Sequence, residues 1–243
     1  MATPDTDRVA ELLATAGVEE RVELRGPLGF LAFHGGLEGG TEETAEAAAA
    51  SSDASLYALV QPPTLRWHLP SHVIGAGASP ALRRFLAHVD VAVALHGYGR
   101  RERPRDILVG GANRALAGAV AAALRPRLPD SVVVEDLDAI PPGMRGLHPT
   151  NPVNLCRHGG VQLELPPGVR GASWRWEDRG PCTPDPALVE ALAEVAAGWP
   201  GLAAAPARQS AAQSTAQAAA RPTAESTAES TAQPTSNVPP ERQ

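Results

Sequence analysis

The sequence predicts one α/β domain: a mixed, mostly parallel sheet with helices on both faces, followed by a disordered C-terminal tail. Three observations carry this expectation. Short apolar runs alternate with helix-like segments, which is the order of a sheet covered by helices. One run, Val91–Leu95, is apolar throughout, as a strand buried on both faces must be. From Ala203 to Gln243 the 243-residue chain is almost entirely Ala, Gln, Ser, Thr and Pro, with no Leu, Ile, Phe, Trp or Tyr. Such a segment buries too little apolar surface to offset its ordering entropy. The expected division is therefore a folded domain over residues 1–202 and a tail over 203–243.

The elements follow in order. Asp5–Ala16 reads as a helix with Val9, Leu12 and Leu13 on one face. Val22–Leu24 and Gly29–Phe33 read as a strand pair around the Gly26-Pro27 turn. Thr41 is the expected N-cap of an Ala-rich helix running to about Ala50, and Ser55–Val60 is a short strand ending at Gln61-Pro62-Pro63. Ser79-Pro80 is a helix start, with Ser as N-cap and Pro at the first helical position. Ile107–Val109 is a buried strand, followed by Gly110-Gly111 and a helix over Asn113–Leu124. Ser131–Val134 and Val161–Leu165 complete the strands, and Pro186–Trp199 is the closing helix.

Composition removes several function classes. The tail holds three Arg and three Glu, so the net charge of −6 belongs to the domain and speaks against nonspecific nucleic-acid binding. Every basic residue is Arg; without Lys there is neither a Schiff base nor a Walker motif. Cys156 and Cys182 form no metal-ligand pattern and are expected as reduced thiols. No signal peptide and no run of eighteen apolar residues is visible, so the expected location is cytoplasmic, without membrane contact.

The chemistry concentrates at strand ends, where open α/β sheets gather their sites. His34-Gly-Gly-Leu-Glu38 places an imidazole and a carboxylate in one Gly-rich turn, and His96 follows another strand. Together they form a candidate His₂Glu site with an open fourth position, the arrangement of catalytic zinc; a hydrogen-bonded turn is the plainer alternative. In Gly-Gly-Val-Gln-Leu-Glu-Leu, alternation sets Val161, Leu163 and Leu165 on one face and Gln162 with Glu164 on the other. Glu164 is either an edge-strand residue facing water or the general base for a zinc-bound water.

Softer candidates surround these. His68 sits in Trp-His-Leu-Pro-Ser, suited to touching substrate or to holding a loop. Asn113 and Arg114 open a helix where a carboxylate could bind, although Asn is also a common cap. Arg145 and Arg157 flank the Asn-rich loop before Glu164 and could clamp a carboxylate or polarise a carbonyl, while His148 and His158 either line the site or are simply solvated. Arg100, Arg101, Arg103 and Arg105 follow His96 and form either a cationic rim for an anionic substrate or a solvated loop offset by Glu102.

The segments HGGLEGGTEETA (34–45), ASLYAL–QPP (54–63), WHLPS (67–71), VALHGYGRR (93–101), LVGGANRALA (108–117) and RGLHPTNPVNLCRHGGVQLELPPGVRG (145–171) resemble the poly-γ-glutamate hydrolase family of zinc peptidases. That family is distantly similar to zinc carboxypeptidases and aspartoacylases. The resemblance spans roughly residues 20–175 and implies a zinc carboxypeptidase-like fold. It implies Zn²⁺ held by His34, Glu38 and His96, and Glu164 as catalytic glutamate. In one departure, Leu37 directly follows Gly36, one residue fewer than the family pattern, although Glu38 still precedes Thr41 by three positions.

The expected function is zinc-dependent hydrolysis of a γ-glutamyl or related acidic amide, in a small or oligomeric substrate. His68, Arg100, Asn113, Arg114 and Arg145 are the candidate substrate contacts. The alternatives are a non-catalytic ligand-binding module with a degenerate metal site, and phosphate binding at the Gly110-Gly111 helix entry.

Overall fold

The computed structural model describes residues 4–175 and 182–204. The tail expected from 203 onward therefore lies outside the described residues, apart from 203 and 204. Those two close the last helix, which runs past the expected end at Trp199.

Among the described residues seven strands form one sheet: β1 (Glu19–Glu23), β2 (Leu28–Gly35), β3 (Ser55–Val60), β4 (Val91–Gly97), β5 (Asp106–Val109), β6 (Val132–Val134) and β7 (Gly160–Leu165). Their order is β1-β3-β2-β4-β7-β5-β6. The central run β3-β2-β4-β7 is parallel, β1 lies antiparallel to β3, and β7 and β5 are antiparallel. The α-helices among the described residues are α1 (Pro4–Leu13), α2 (Thr41–Ser52), α3 (Pro80–His88), α4 (Arg114–Arg127) and α5 (Pro186–Ala204). Among the described residues no helix is long and apolar enough to cross a membrane.

Two apolar layers sandwich the sheet. On one face Phe30, Ala32, Val93, Leu95, Val161 and Leu163 pack against α2, α4 and α5. On the other, Leu31, Phe33, Tyr57 and Ala94 pack against α1 and α3 and against the connection carrying Leu69 and Ile74. β7 is buried along its whole length between β4 and β5, so Glu164 is not an edge residue facing water.

Two local expectations change. β1 and β2 do not pair, because β3 inserts between them. The fully buried β2 needs partners on both sides, whereas half-exposed β1 suits an edge. Thr41 is the first residue of α2 rather than its cap. Gly40, at φ 90°, precedes it, and its N–H donates to Glu43 Oε2 at 3.0 Å. The Ser79 start holds as expected: its Oγ accepts from Leu82 N at 2.9 Å.

One irregularity positions the chemistry. Against β3, β2 carries one extra residue between Ala32 and Gly35, a β-bulge. Strict alternation from Phe30 and Ala32 would turn His34 toward α2 and α5. The bulge instead places two successive residues, Phe33 and His34, on the opposite face, the one His96 and Glu164 occupy.

Candidate metal centre

Three adjacent strands deliver the site. His34 and His96 are the last residues but one of β2 and β4, and Glu164 on β7 is the register partner of His96. Glu38 arrives from the turn after β2, where Leu37 N and Glu38 N both donate to the His34 carbonyl, at 3.1 and 2.7 Å. Gly36 permits that turn: it sits at φ 69°, and a Cβ there would lie 2.0 Å from the Gln61 carbonyl oxygen. The shorter turn thus still brings Glu38 to both histidines.

The donor atoms converge. His34 Nδ1 lies 3.2 Å from His96 Nδ1 and 3.1 Å from Glu38 Oε1, while His96 Nδ1 is 3.6 Å from Glu38 Oε2. Ligands about 2.0–2.1 Å from one tetrahedral ion stand about 3.3 Å apart, so these spacings suit a single divalent cation among them. The surroundings fix the atoms that face it. His34 Nε2 donates to the Leu69 carbonyl at 2.8 Å, which leaves the Nδ1 lone pair pointing inward. Gly97 N donates to Glu38 Oε2 at 2.8 Å and orients the carboxylate. His96 Nε2 is 3.3 Å from Ser71 Oγ. Among the described residues these three form the one cluster of metal-ligand type.

Electrostatics follows from burial and charge. Burial alone would raise the Glu38 pKa, but His34 and His96 beside it hold the carboxyl well below the usual range. Burial depresses the His34 pKa, yet Glu38, the Leu69 carbonyl and Glu164 together outweigh it and the net shift is upward. Glu164 is pushed up to about 7 by burial, against the attraction of His96. A carboxyl near 7 beside two metal-type histidines is placed to take up and return a proton near neutral pH.

A cleft of about 480 Å³ opens over the cluster, lined by His34, Glu38, His68, His96, Arg100, Gln162 and Glu164 among others. His68 stacks on His34 with centroids 4.4 Å apart, its Nε2 3.7 Å from Glu38 Oε1. Arg100 lines the cleft with its guanidinium 3.5 Å from Glu102. His148 also lines the cleft. A larger cavity, about 590 Å³, lies across Glu38 but contains neither histidine nor Glu164. It is bordered by Glu42, whose Oε2 is buried without a hydrogen-bond partner and whose pKa rises to about 7 through burial and Glu43.

Other candidates belong to the scaffold and do not line the cleft. Asn113 caps α4, accepting from Leu116 N at 2.9 Å and donating to the His158 carbonyl at 3.0 Å. Arg114 spends its guanidinium on the carbonyls of Val109, Gly111 and Glu135, and Arg145 donates to the Ile140 carbonyl. Arg157 pairs with Asp90 at 3.0 Å, away from the cleft. The suggested phosphate cradle is also closed. The N–H groups of Gly110, Gly111, Ala112 and Asn113 donate to Gln162 O, Arg145 O, Asn154 Oδ1 and Gly160 O.

Sequence reasoning missed three contributors. Ser71 and Asn151 lie within the segments that resemble the family, but neither residue type by itself points to the site. Arg170 is buried behind the site, its guanidinium bonded to the carbonyls of Gly39, Leu165 and Tyr98, so it ties the Glu38 turn to the ends of β4 and β7.

The chain is similar to known proteins in sequence and in fold. The profile of the family "Poly-gamma-glutamate hydrolase" matches residues 11–178. A bacteriophage poly-γ-glutamate hydrolase structure is similar at 27% identity and a TM-score of 0.63, covering 79% of this chain and 95% of that one. The zinc-free apo structure of YNDL shares the fold at 22% identity and a TM-score of 0.58, over 74% of this chain and 87% of that one. A putative carboxypeptidase from Burkholderia mallei is 11% identical with a TM-score of 0.46, over 82% of this chain and 67% of that one. No curated protein sequence matches the chain significantly.

Proposed function

Because the chain belongs to the poly-γ-glutamate hydrolase family, we propose that it is a zinc-dependent amidohydrolase acting on γ-glutamyl or related acidic amide bonds. The observation that carries this reading is the convergence of His34 Nδ1, His96 Nδ1 and the Glu38 carboxylate beside Glu164. Zinc held by those three residues would supply polarisation of the scissile carbonyl and a water of lowered pKa.

The chain's own groups do the rest. Glu164 accepts a proton from the attacking water and returns it to the departing amine, a double role that a carboxyl near 7 can fill. His68 and Arg100 stand on the cleft wall as donors for substrate. A cationic rim group suits an acidic substrate, and we assign Arg100 the attraction of a glutamyl carboxylate. The bacteriophage relative, described as a poly-γ-glutamate hydrolase, supports the same substrate class.

The test is metal content and turnover together. Purified protein should bind about one zinc per chain, His96→Ala should bind none, and the loaded wild type should release glutamate or shorter oligomers from poly-γ-glutamate or γ-glutamyl amides. A protein that takes up no zinc even when incubated with it is instead a binding module on the same scaffold.

A further inference from the structure

We propose that Asn151 and Gln162 form a one-way amide relay that positions Glu164, holding its Oε1 and leaving Oε2 as the oxygen that handles the proton. The claim rests on the general-base reading of Glu164 given above.

Both amides are buried, at 3% and 5% exposure, although both border the cleft. Asn151 Nδ2 is 2.8 Å from Gln162 Oε1, and Gln162 Nε2 is 2.8 Å from Glu164 Oε1. Taken alone, two side-chain amides could face either way, since oxygen and nitrogen are interchangeable in shape. The backbone removes that freedom. Val153 N lies 3.3 Å from Asn151 Oδ1, and a backbone N–H can only donate. Asn151 must therefore present its NH₂ to Gln162, which accepts through Oε1 and must present its own NH₂ to Glu164.

Packing fixes the position as well as the polarity. Gly146, at φ 64°, lies flat against Gln162; a Cβ there would come within 2.5 Å of Gln162 Cβ. Asn154 Nδ2 secures that segment by donating to the Gly146 carbonyl at 2.7 Å. Among the described residues no other hydrogen bond reaches the Glu164 side chain. Its Oε2 is thus free toward the cleft, while Oε1 is held from behind.

The polarity makes the relay testable with isosteric changes. In Asn151→Asp the carboxylate cannot donate to Gln162 Oε1, so the Gln162 amide must turn over and present oxygen to Glu164. Gln162→Met removes the donor and keeps the volume. On a γ-glutamyl substrate, both variants should lose about ten- to a hundredfold in kcat with KM within twofold of wild type, as supporting residues behind a metal site do. Zinc stoichiometry should stay at the wild-type value, while Tm falls by a few degrees because each change leaves a buried polar group mismatched.

A second readout needs neither zinc nor substrate. The Gln162 side-chain NH₂ signals in ¹⁵N spectra of the zinc-free protein should move in Glu164→Gln and again in Asn151→Asp. If wild type hydrolyses no such amide, the functional reading fails, and the spectra still decide the relay. Gln162 signals that ignore both substitutions, wild-type kcat in Asn151→Asp, or a rise in KM alone would each overturn it.

Discussion

The two faces of β2, β4 and β7 differ sharply although the same strands build both. On the face toward α2, α4 and α5, Ala32, Leu95, Val161 and Leu163 are covered by helices and make no polar contact. On the other face, at the carboxyl end of the strands, His34, His96, Gln162 and Glu164 stand under loops and open to a cleft. Helices seal a surface with their side chains but offer few free carbonyls. The loops contribute the Leu69 carbonyl, Ser71 and Asn151, the groups a polar site needs around it. The helix-covered face therefore carries stability, while the other adds chemistry at its carboxyl end, beyond the apolar layer against α1 and α3, and substitutions should separate the two.

The largest separation should come from Glu164→Gln. We expect kcat to fall about 10²- to 10⁴-fold with zinc retained and Tm within a few degrees of wild type, measured by steady-state kinetics beside metal analysis. One residue earlier on the same strand, Leu163→Ala should do the opposite. It removes apolar volume from the helix face and should cost about 2–5 kcal/mol in denaturant unfolding, while folded protein keeps its zinc. If Leu163→Ala lost zinc first, the faces would not be independent.

Glu42 offers a pH-dependent test on the border of the larger cavity. Its pKa rises from the ordinary carboxyl value to about 7 on folding, through burial and then Glu43. The folded state thus binds the proton more tightly than the unfolded chain. The contribution of Glu42 to stability is fully present below about pH 4.5 and declines as pH climbs toward 7. Glu42→Gln removes the decline. The variant should match wild type at pH 4.5 and be more stable at pH 8, by as much as about 3 kcal/mol from the size of the shift. Equal gains at both pH values would show that packing, not ionisation, is responsible.

The smallest effect belongs to the cleft rim. Arg100→Gln should raise KM for an acidic substrate severalfold with little change in kcat, and the difference should shrink at high salt, because an exposed charge is screened. A KM insensitive to both would place the glutamyl carboxylate elsewhere.

Much of this was legible in the sequence because it depends on local pattern. Apolar runs ending in His34 and His96 marked strand termini, and alternation put Glu164 and Gln162 on one face of a strand. What escaped was nonlocal. Nothing between Val22 and Gly29 announces that β3 slips between their strands, since pairing is decided by which edges remain to be covered. Asn113 and Arg114 carried plausible ligand chemistry, yet nearby backbone groups claimed them. Gln162 was visible beside Glu164, but an amide has no chemistry of its own to flag it; its role depends on Asn151 eleven positions away. Arg170 is readable only once Gly39 and Tyr98 are beside it.

The bulge in β2 lets neighbouring residues do unlike work on one face of the sheet. Phe33 fills the apolar layer beside Tyr57, and His34 next to it meets His96 at the cleft. By alternation, losing Phe33 would leave the imidazole on the cleft face but open a hole in that layer. The extra residue is what lets a strand end carry a large apolar group and a ligand-type group side by side.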